Sequence, residues 1–472
     1  MPSLRQYGPM ALFIMRGLFR LLNFFRIILY PLIKGLLPLL SEAFRDRVNF
    51  ERVNKTDPLS ISFKKDQLEA DWGLEVSSEG ELEQVIPLIR EIISQEKKIE
   101  LYFASPSVEE KCRALAKQNP NQIRILRLPL LSYFPKGLFG GQDVTRWATS
   151  KKLILCRYDF YPELMLPQKL NSKALYLVSG TLKGKQIEKS DFKQWLLHGL
   201  FSAFDTIIAA TELDRQRFLR LGIGPAKLTA FDFRVLQVFN RVENKMMALQ
   251  KQPFWTHFEK YIGSFPFHCR LILGSVWKNE LPLLLDAQMK SEILKGSISV
   301  LLAPHQLGTE SIEEFQSSWK MLSPDIPIYI LSDKGTPENY RKLFLEIKLR
   351  PGIVILTSPG ILVEVYSYFG NAYVGGGFGR SIHSVLEPYL AGANVFCGPR
   401  THRSTEYDFV IQHSPSHIHI VEELNQFYSC FKKIQEFQID SKVRIGQGVY
   451  HQKEFIKMLE KYFPNPGKGK IC

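Results

Sequence analysis

The sequence predicts an α/β protein of two Rossmann-like domains facing a cleft, preceded by a membrane-associating helix. Short runs rich in Val, Ile and Leu alternate with stretches of helical period, which calls for parallel sheets covered on both faces. The alternation lapses near residue 246 and then restarts, so the 472 residues divide between two cores. The first forty residues combine apolar side chains with regularly spaced arginines. The expected divisions are a membrane-associating segment at 1–48, a first domain at 49–245, a second at 246–450, and a C-terminal helix and tail at 451–472.

Composition bounds the function. Apolar residues make up 45% of the chain and aromatics 12%, ample for buried cores. The net charge of +14 points to an anionic partner such as nucleic acid, an anionic membrane or a phosphorylated substrate. Basic residues are scattered, with no stripe interleaved with aromatics, which argues against nucleic acid. Cys112, Cys156, Cys269, Cys397, Cys430 and Cys472 are dispersed without a CxxC pair, which argues against a zinc ribbon or disulfide framework and fits a reducing compartment.

Residues 9–40 are strongly apolar, but their longest charge-free runs are 10 residues (between Arg5 and Arg16) and 7 (between Arg26 and Lys34). A spanning helix needs about 20. At about 100° per residue, Arg16, Arg20, Asn23, Arg26, Tyr30 and Lys34 share one side opposite a broad apolar face. That is the pattern of a helix lying in the membrane interface with its arginines on anionic headgroups, ended or kinked at Pro31. Arginines dividing the apolar region, with no small-residue cleavage site after it, fit a signal peptide poorly.

In the first domain, strands are expected at 72–76, 99–103, 123–126, 153–156, 174–178 and 206–210. Helices are expected at 82–93, 107–117, 191–204 and 212–221. Ligands of such sheets sit beyond the carboxyl ends of the strands, where two segments carry candidate chemistry. Ser77-Ser78-Glu79-Gly80-Glu81 fills a strand-to-helix turn. It admits two readings, a carboxylate set beside backbone amides, or an N-cap serine with acids favouring the helix dipole. Asp159, in Arg157-Tyr-Asp-Phe-Tyr-Pro-Glu163, ends an apolar run and is either a helix cap or a cleft acid.

After a linker at Gln250–His257, strands are expected at 270–274, 297–303, 326–331, 353–357, 371–374 and 394–397. Helices are expected at 281–293, 312–321, 361–369 and 384–391. The first strands lack a GxGxxG turn, which lowers a dehydrogenase reading. Val374 is followed by Gly375, Gly376, Gly377 and Gly379 and then a helical pattern, a turn suited to close backbone approach and to an anion. His383 and Glu387, four apart, are expected to share a helix face. Polar turns recur at Ser275–Glu280, at Pro304-His305-Gln and at Pro399–Glu406. Arg380, Arg400, Arg403, Lys278 and His305 together suggest a cationic mouth for a nucleotide phosphate. His417-Ile-His419 alternates as a strand does, with no cysteine or acid pattern to make a metal site.

Taken in order, these segments resemble the Kdo transferases of lipopolysaccharide assembly, which have the two-Rossmann GT-B fold. The family's A-S-V-G-E turn appears as Ser77–Glu81, and E-T-E-L-W-P-N as Arg157–Glu163. S-x-E-D-x-x-R-F-x-x-L-G appears as Thr211–Gly222. V-G-G-S, H-N-x-x-E-P and F-G-P-H-T-x-N-x-x-E correspond to Val374–Gly377, His383–Pro388 and Cys397–Glu406. The departures are Ser179-Gly-Thr-Leu-Lys for N-A-R-L-S, Pro304-His-Gln-Leu for P-R-H-P, and Ser275-Val-Trp-Lys-Asn-Glu280 for S-T-H-E-G-E. Asp159 replaces the second acid, and Ser384 the asparagine after the histidine.

The resemblance implies transfer of Kdo from CMP-Kdo to a lipid A precursor at the cytoplasmic face of the inner membrane, with inversion and with neither metal nor cofactor. Glu81 would be the general base and Asp159 an aid to positioning, with Ser78 and Gly80 beside the acceptor. Gly375, Gly376, Gly377, Ser384 and Glu387 would hold CMP, and Arg380 or Arg400 would balance the phosphate. His383, Ser275, Glu280 and His305 complete the expected nucleotide-sugar site. The rivals are a transferase for another nucleotide sugar and a non-catalytic membrane-bound relative.

Overall fold

The computed structural model describes residues 8–31, 36, 39, 41–61, 69–134, 142–157, 160–182, 191–238, 249–402, 404–436 and 453–462. The chain forms two compact units. One runs from the N-terminus to Gln237 and resumes at Glu454, and the other is Val238–Lys453.

The first unit holds a seven-stranded parallel sheet in the order β3-β2-β1-β4-β5-β6-β7. Its strands are β1 (Trp72–Val76), β2 (Ile99–Phe103), β3 (Ile123–Arg127), β4 (Lys152–Cys156), β5 (Ala174–Gly180), β6 (Thr206–Ala209) and β7 (Leu228–Ala230). β1 is buried throughout, as a parallel strand covered on both faces requires. One apolar cluster centres on Leu153, Leu155, Phe201 and Phe204. A second centres on Leu74, Leu88 and Ile125, and it includes Met458 and Leu459 from near the end of the chain. The strand order reverses between β1 and β4, which places a ligand crevice at their carboxyl ends.

The second unit repeats the plan, in the order β10-β11-β9-β8-β12-β13-β14. Its strands are β8 (Arg270–Val276), β9 (Ser299–Pro304), β10 (Ile328–Leu331), β11 (Ile353–Leu356), β12 (Asn371–Val374), β13 (Asn394–Cys397) and β14 (Ile418–Ile420). Here the reversal lies between β8 and β12, which pair from Asn371 against Leu271 to Val374 against Gly274. Every strand expected from the sequence is present.

Three expectations about helices fail, the first being the helix expected at 281–293, which is split into a 3₁₀ stretch, Lys278–Leu284, and a separate helix, Ala287–Leu294, capped by Asp286. The supposed linker contains a helix, Pro253–Ile262, with proline in its first turn and Phe254, Trp255, Phe258 and Ile262 buried. Each such side chain contributes about 1.5–3 kcal/mol by leaving water, enough to hold a ten-residue helix on the sheet. His383 and Glu387 do not share a helix, because the helix there is only Leu386–Leu390. The residues before it return the His383 N–H to the Gly375 carbonyl at 3.1 Å instead of starting a turn.

The N-terminal helix α1 spans Gly8–Pro31 and ends at the expected proline. Ile14 is buried in the first core, with Leu18 and Phe19 packed against it. Gly199 leaves the room for this, since a Cβ there would lie 2.0 Å from Ile14 Cδ1. The polar stripe does not wholly face outward. Arg16 and Arg20 are exposed, but Arg26 turns inward to pair with Glu163 and lies 4.7 Å over the Tyr133 ring. Glu163 is buried, and a buried carboxylate requires such a partner. Phe13, Leu21, Leu22, Phe24, Phe25, Ile28 and Leu29 remain exposed. Among the described residues no helix is long and apolar enough to cross a membrane.

Candidate active site

Two sets of residues occupy the two switch points, one in each unit. In the first, β1 ends at Val76 and the helix Glu79–Ser94 begins three residues later. Ser78 caps that helix by accepting from the Glu81 N–H at 3.3 Å. Glu81 reaches back, and its Oε2 accepts from the Ser77 N–H at 2.7 Å. This is close to a capping box, yet Glu81 also lies 4.0 Å from Arg157 Nε, on the neighbouring strand end. Glu81 is only 6% exposed. Ser77 Oγ donates to Glu75 Oε1 at 2.7 Å and lies 3.1 Å from Tyr161 Oη. Gly80 is exposed, and a Cβ there would meet nothing. Both sequence readings of this turn therefore hold locally, because the carboxylate caps the helix and borders the crevice. Asp159 lies outside the described residues, as does Arg403.

Arg157 at the end of β4 has φ of 59°, Ser179 at the end of β5 has 50°, and Ser275 near the end of β8 has 52°. Left-handed backbone at a non-glycine residue is uncommon and concentrates at functional sites. Three such residues at the carboxyl ends of central strands mark the same ends of the sheets as the polar turns do.

In the second unit the glycines are required by their neighbours. A Cβ on Gly375 would fall 2.3 Å from the Ser275 carbonyl oxygen, and one on Gly377 2.6 Å from Gly398 Cα. Gly376 has φ of 94°. Glu280 braces this turn from below. Its Oε1 accepts from Tyr373 Oη at 2.8 Å and Gly376 N at 2.9 Å, and its Oε2 accepts from Trp277 N at 2.9 Å. It is 1% exposed, and burial raises its pKa, a shift opposed by these hydrogen bonds and by one from Phe378 N–H. Glu280 thus spends its acceptors on the turn itself.

Around the turn, Trp277, His305 and His383 bring their rings together from three strand ends. His305 and His383 lie 4.2 Å apart and Trp277 and His305 4.4 Å, centroid to centroid. Burial, then His305, lowers the pKa of His383. Arg400 donates through its side chain to the Gly379 carbonyl, and its own N–H reaches the Gly377 carbonyl at 3.2 Å. Arg380 is exposed, and Ser384 is half-buried. Glu387, in the short helix, raises the pKa of buried Tyr366, second to burial itself. Lys278 is drawn away to Glu314 at 2.8 Å.

Trp277, Arg157 and Tyr161 were not singled out by the sequence reading, although all three lie in its polar turns. Their partners come from other strand ends, and no spacing along the chain reveals them. A groove of about 1050 Å³ lies among Lys260, Lys295, Arg341 and Lys348. It opens at the amino ends of β9 and β11, opposite the glycine turn. Among the described residues no group of three or more His, Cys, Asp or Glu is arranged to hold a metal ion. The five described cysteines are free, and burial pushes Cys112 and Cys397 up to about 12.

Two doubly wound parallel-sheet domains, one with a carboxylate and one with a glycine turn at its switch point, are the architecture of the GT-B class. Residues 53–232 match the family described as 3-deoxy-D-manno-octulosonic-acid transferase (kdotransferase). The 3-deoxy-D-manno-octulosonic acid transferase of Aquifex aeolicus (strain VF5) is 25% identical over 393 residues, covering 81% of this chain and 93% of that one. The enzyme of the same name from Chlamydia trachomatis serovar A is 26% identical over 236 residues, 49% of this chain and 48% of that one. The chain is thus similar to Kdo transferases, through the family match in its first domain and through a relative aligned along most of its length. Among solved structures, UDP-GlcNAc 2-epimerase from Neisseria meningitidis, bound to UDP-GlcNAc, is similar in fold. Its TM-score is 0.51 at 12% identity, covering 83% of this chain and 100% of that one.

Proposed function

We propose that the protein transfers Kdo from CMP-Kdo to a lipid A precursor at the surface of the inner membrane, on its cytoplasmic face. The observation that carries this is Glu81, a buried carboxylate held by the Ser77 amide at the β1/β4 switch point of the domain that matches the family. Glu81 takes the proton from an acceptor hydroxyl as that oxygen attacks the anomeric carbon of Kdo. The bond from that carbon to the CMP phosphate breaks with its electron pair on CMP, and the configuration inverts. Ser78 and Gly80 line the acceptor side, and Asp159 helps to position it. The glycine turn, Ser384 and Glu387 receive CMP, while Arg380 and Arg400 offset its phosphate. No metal or cofactor is assigned a role.

The exposed apolar face of α1 supports action at a membrane surface. It is flanked by Phe192, 70% exposed, and Trp195, 42% exposed, on the helix Asp191–Ser202. An acceptor that stays in the bilayer is met more often by an enzyme resting on it.

Glu81→Gln tests the assignment. Removing a general base costs typically 10²–10⁴-fold in rate, so transfer to lipid A precursor should fall by about that factor while CMP binding, measured by calorimetry, is unchanged. Full activity would remove Glu81 from the role of base. Running the wild-type protein with a panel of CMP- and UDP-sugars tests the donor, and preference for a UDP-sugar would overturn CMP-Kdo.

A further inference from the structure

The stack of Trp277, His305 and His383 contains one hydrogen bond whose direction is fixed by chemistry. Trp277 Nε1 lies 3.2 Å from His383 Nε2. An indole nitrogen only donates, so His383 Nε2 accepts and carries no hydrogen. The proton of the neutral ring then sits on Nδ1, since the bond made by one imidazole nitrogen sets the state of the other. A doubly protonated ring would set two N–H groups against each other. Its stacking on His305, at 17° between planes, further disfavours charge there.

The Cδ2–Nε2 edge of His383 is the edge packed against Gly376, since a Cβ on that glycine would meet those two atoms at 3.1 and 3.2 Å. Nδ1 is therefore on the far edge of the ring. Among the described residues it has no hydrogen-bond partner, and the residue is half-buried. A donor hydrogen fixed in direction, uncharged and unspent, is set beside a glycine turn.

We infer that Trp277 is a positioning residue, which fixes His383 as the neutral Nδ1–H tautomer so that His383 presents a preset donor hydrogen to an anionic oxygen of the ligand. This rests on the glycine turn receiving the nucleotide end of the donor. The chemistry suits a phosphate or carboxylate oxygen, which accepts from a neutral imidazole without the desolvation cost of a second buried charge. The indole contributes twice, as a stacking surface for His305 and as the hydrogen that sets the tautomer. Substitution by phenylalanine separates the two.

The test is long-range ¹H–¹⁵N correlation on full-length protein labelled at histidine, near neutral pH, with His383 assigned by its loss in His383→Gln. The wild-type spectrum should show His383 protonated at Nδ1 and bare at Nε2. Trp277→Phe should shift it towards the Nε2–H form and weaken CMP binding about 5- to 10-fold, as expected for one neutral hydrogen bond. A wild-type His383 protonated at Nε2, or a spectrum unchanged by Trp277→Phe, would overturn the tautomer lock. The first of these needs no variant to fold. An Nδ1–H tautomer in a wild-type protein that does not bind CMP would instead overturn the nucleotide reading, and with it the function given to the lock.

Discussion

Replacing Glu280 should separate the residue that builds the glycine turn from those that touch a ligand. Besides the Phe378 N–H, its two oxygens hold three donors, Tyr373 Oη, Gly376 N and Trp277 N, at 2.8, 2.9 and 2.9 Å. In Glu280→Ala at least these three lose their acceptor in a site that is 1% exposed. A buried donor left unmade costs about 1–3 kcal/mol, giving roughly 3–9 kcal/mol for three. Removing a carboxylate whose charge is itself penalised by burial offsets part of this, so the lower end of the range, about 3–5 kcal/mol, is expected. Glu280→Gln keeps one oxygen and turns an amide against one donor, costing about 1–3 kcal/mol. A domain has only about 5–15 kcal/mol in hand, so the Gln variant folds and the Ala variant lies near the edge. Urea unfolding followed by tryptophan fluorescence, with the second-domain transition fitted separately, measures both. A loss below about 1 kcal/mol in Glu280→Ala contradicts the bracing role. The pH dependence supplies a second check. Because the folded pKa is raised, the folded protein retains this proton where the unfolded chain has lost it. The contribution is therefore most favourable below the ordinary carboxylate range and declines as pH rises towards the raised value. Glu280→Gln should lack that decline, and parallel wild-type and variant profiles would contradict it.

Gly377→Ala should push two turns apart, because the new Cβ meets Gly398 backbone at 2.6 Å. We expect about 1–3 kcal/mol of destabilisation and a more than roughly tenfold loss of CMP affinity by calorimetry. Arg26→Ala should strand Glu163, whose side chain is 7% exposed, and loosen α1 by about 3 kcal/mol. Limited trypsin digestion would then cut at Arg16 or Arg20 sooner than in the wild type, with unchanged cleavage times counting against the docking contact.

The strands were legible because a parallel strand buried on both faces is a short run rich in Val, Ile and Leu, even where a buried charge such as Glu75, Glu100 or Arg124 interrupts it. The helix Pro253–Ile262 was misread because its proline and the preceding Gln250-Lys-Gln look like punctuation, although proline belongs in a helix's first turn. The spacing of Phe254, Trp255, Phe258 and Ile262 was the overlooked signal. The four-residue separation of His383 and Glu387 suggested a shared face, but the chain there spends its hydrogen bonds on closing the glycine turn. Glu81 and the glycines could be picked out in sequence as candidates because each lies beside its strand. The brace on Gly376 and the ring stack could not, since Glu280, Tyr373, Trp277, His305 and His383 converge from β8, β9 and β12. Arg26 shows a further limit, since helical periodicity places a residue on a side but does not say what that side will meet.

The return of the chain to its first domain has a consequence for synthesis. Residues 453–462 are helical, Met458 and Leu459 are buried in the first core, and the Phe455 ring lies 5.7 Å from that of Phe231. That core therefore stays open on the ribosome while more than two hundred later residues are made, whereas the second domain is contiguous in sequence and can close as it emerges. Domains generally fold in the order of synthesis; here the first to appear is the last to be sealed. A premature stop before residue 454 would leave an apolar face around Phe231 uncovered, so such a truncation is expected to yield a chaperone client rather than a shortened enzyme.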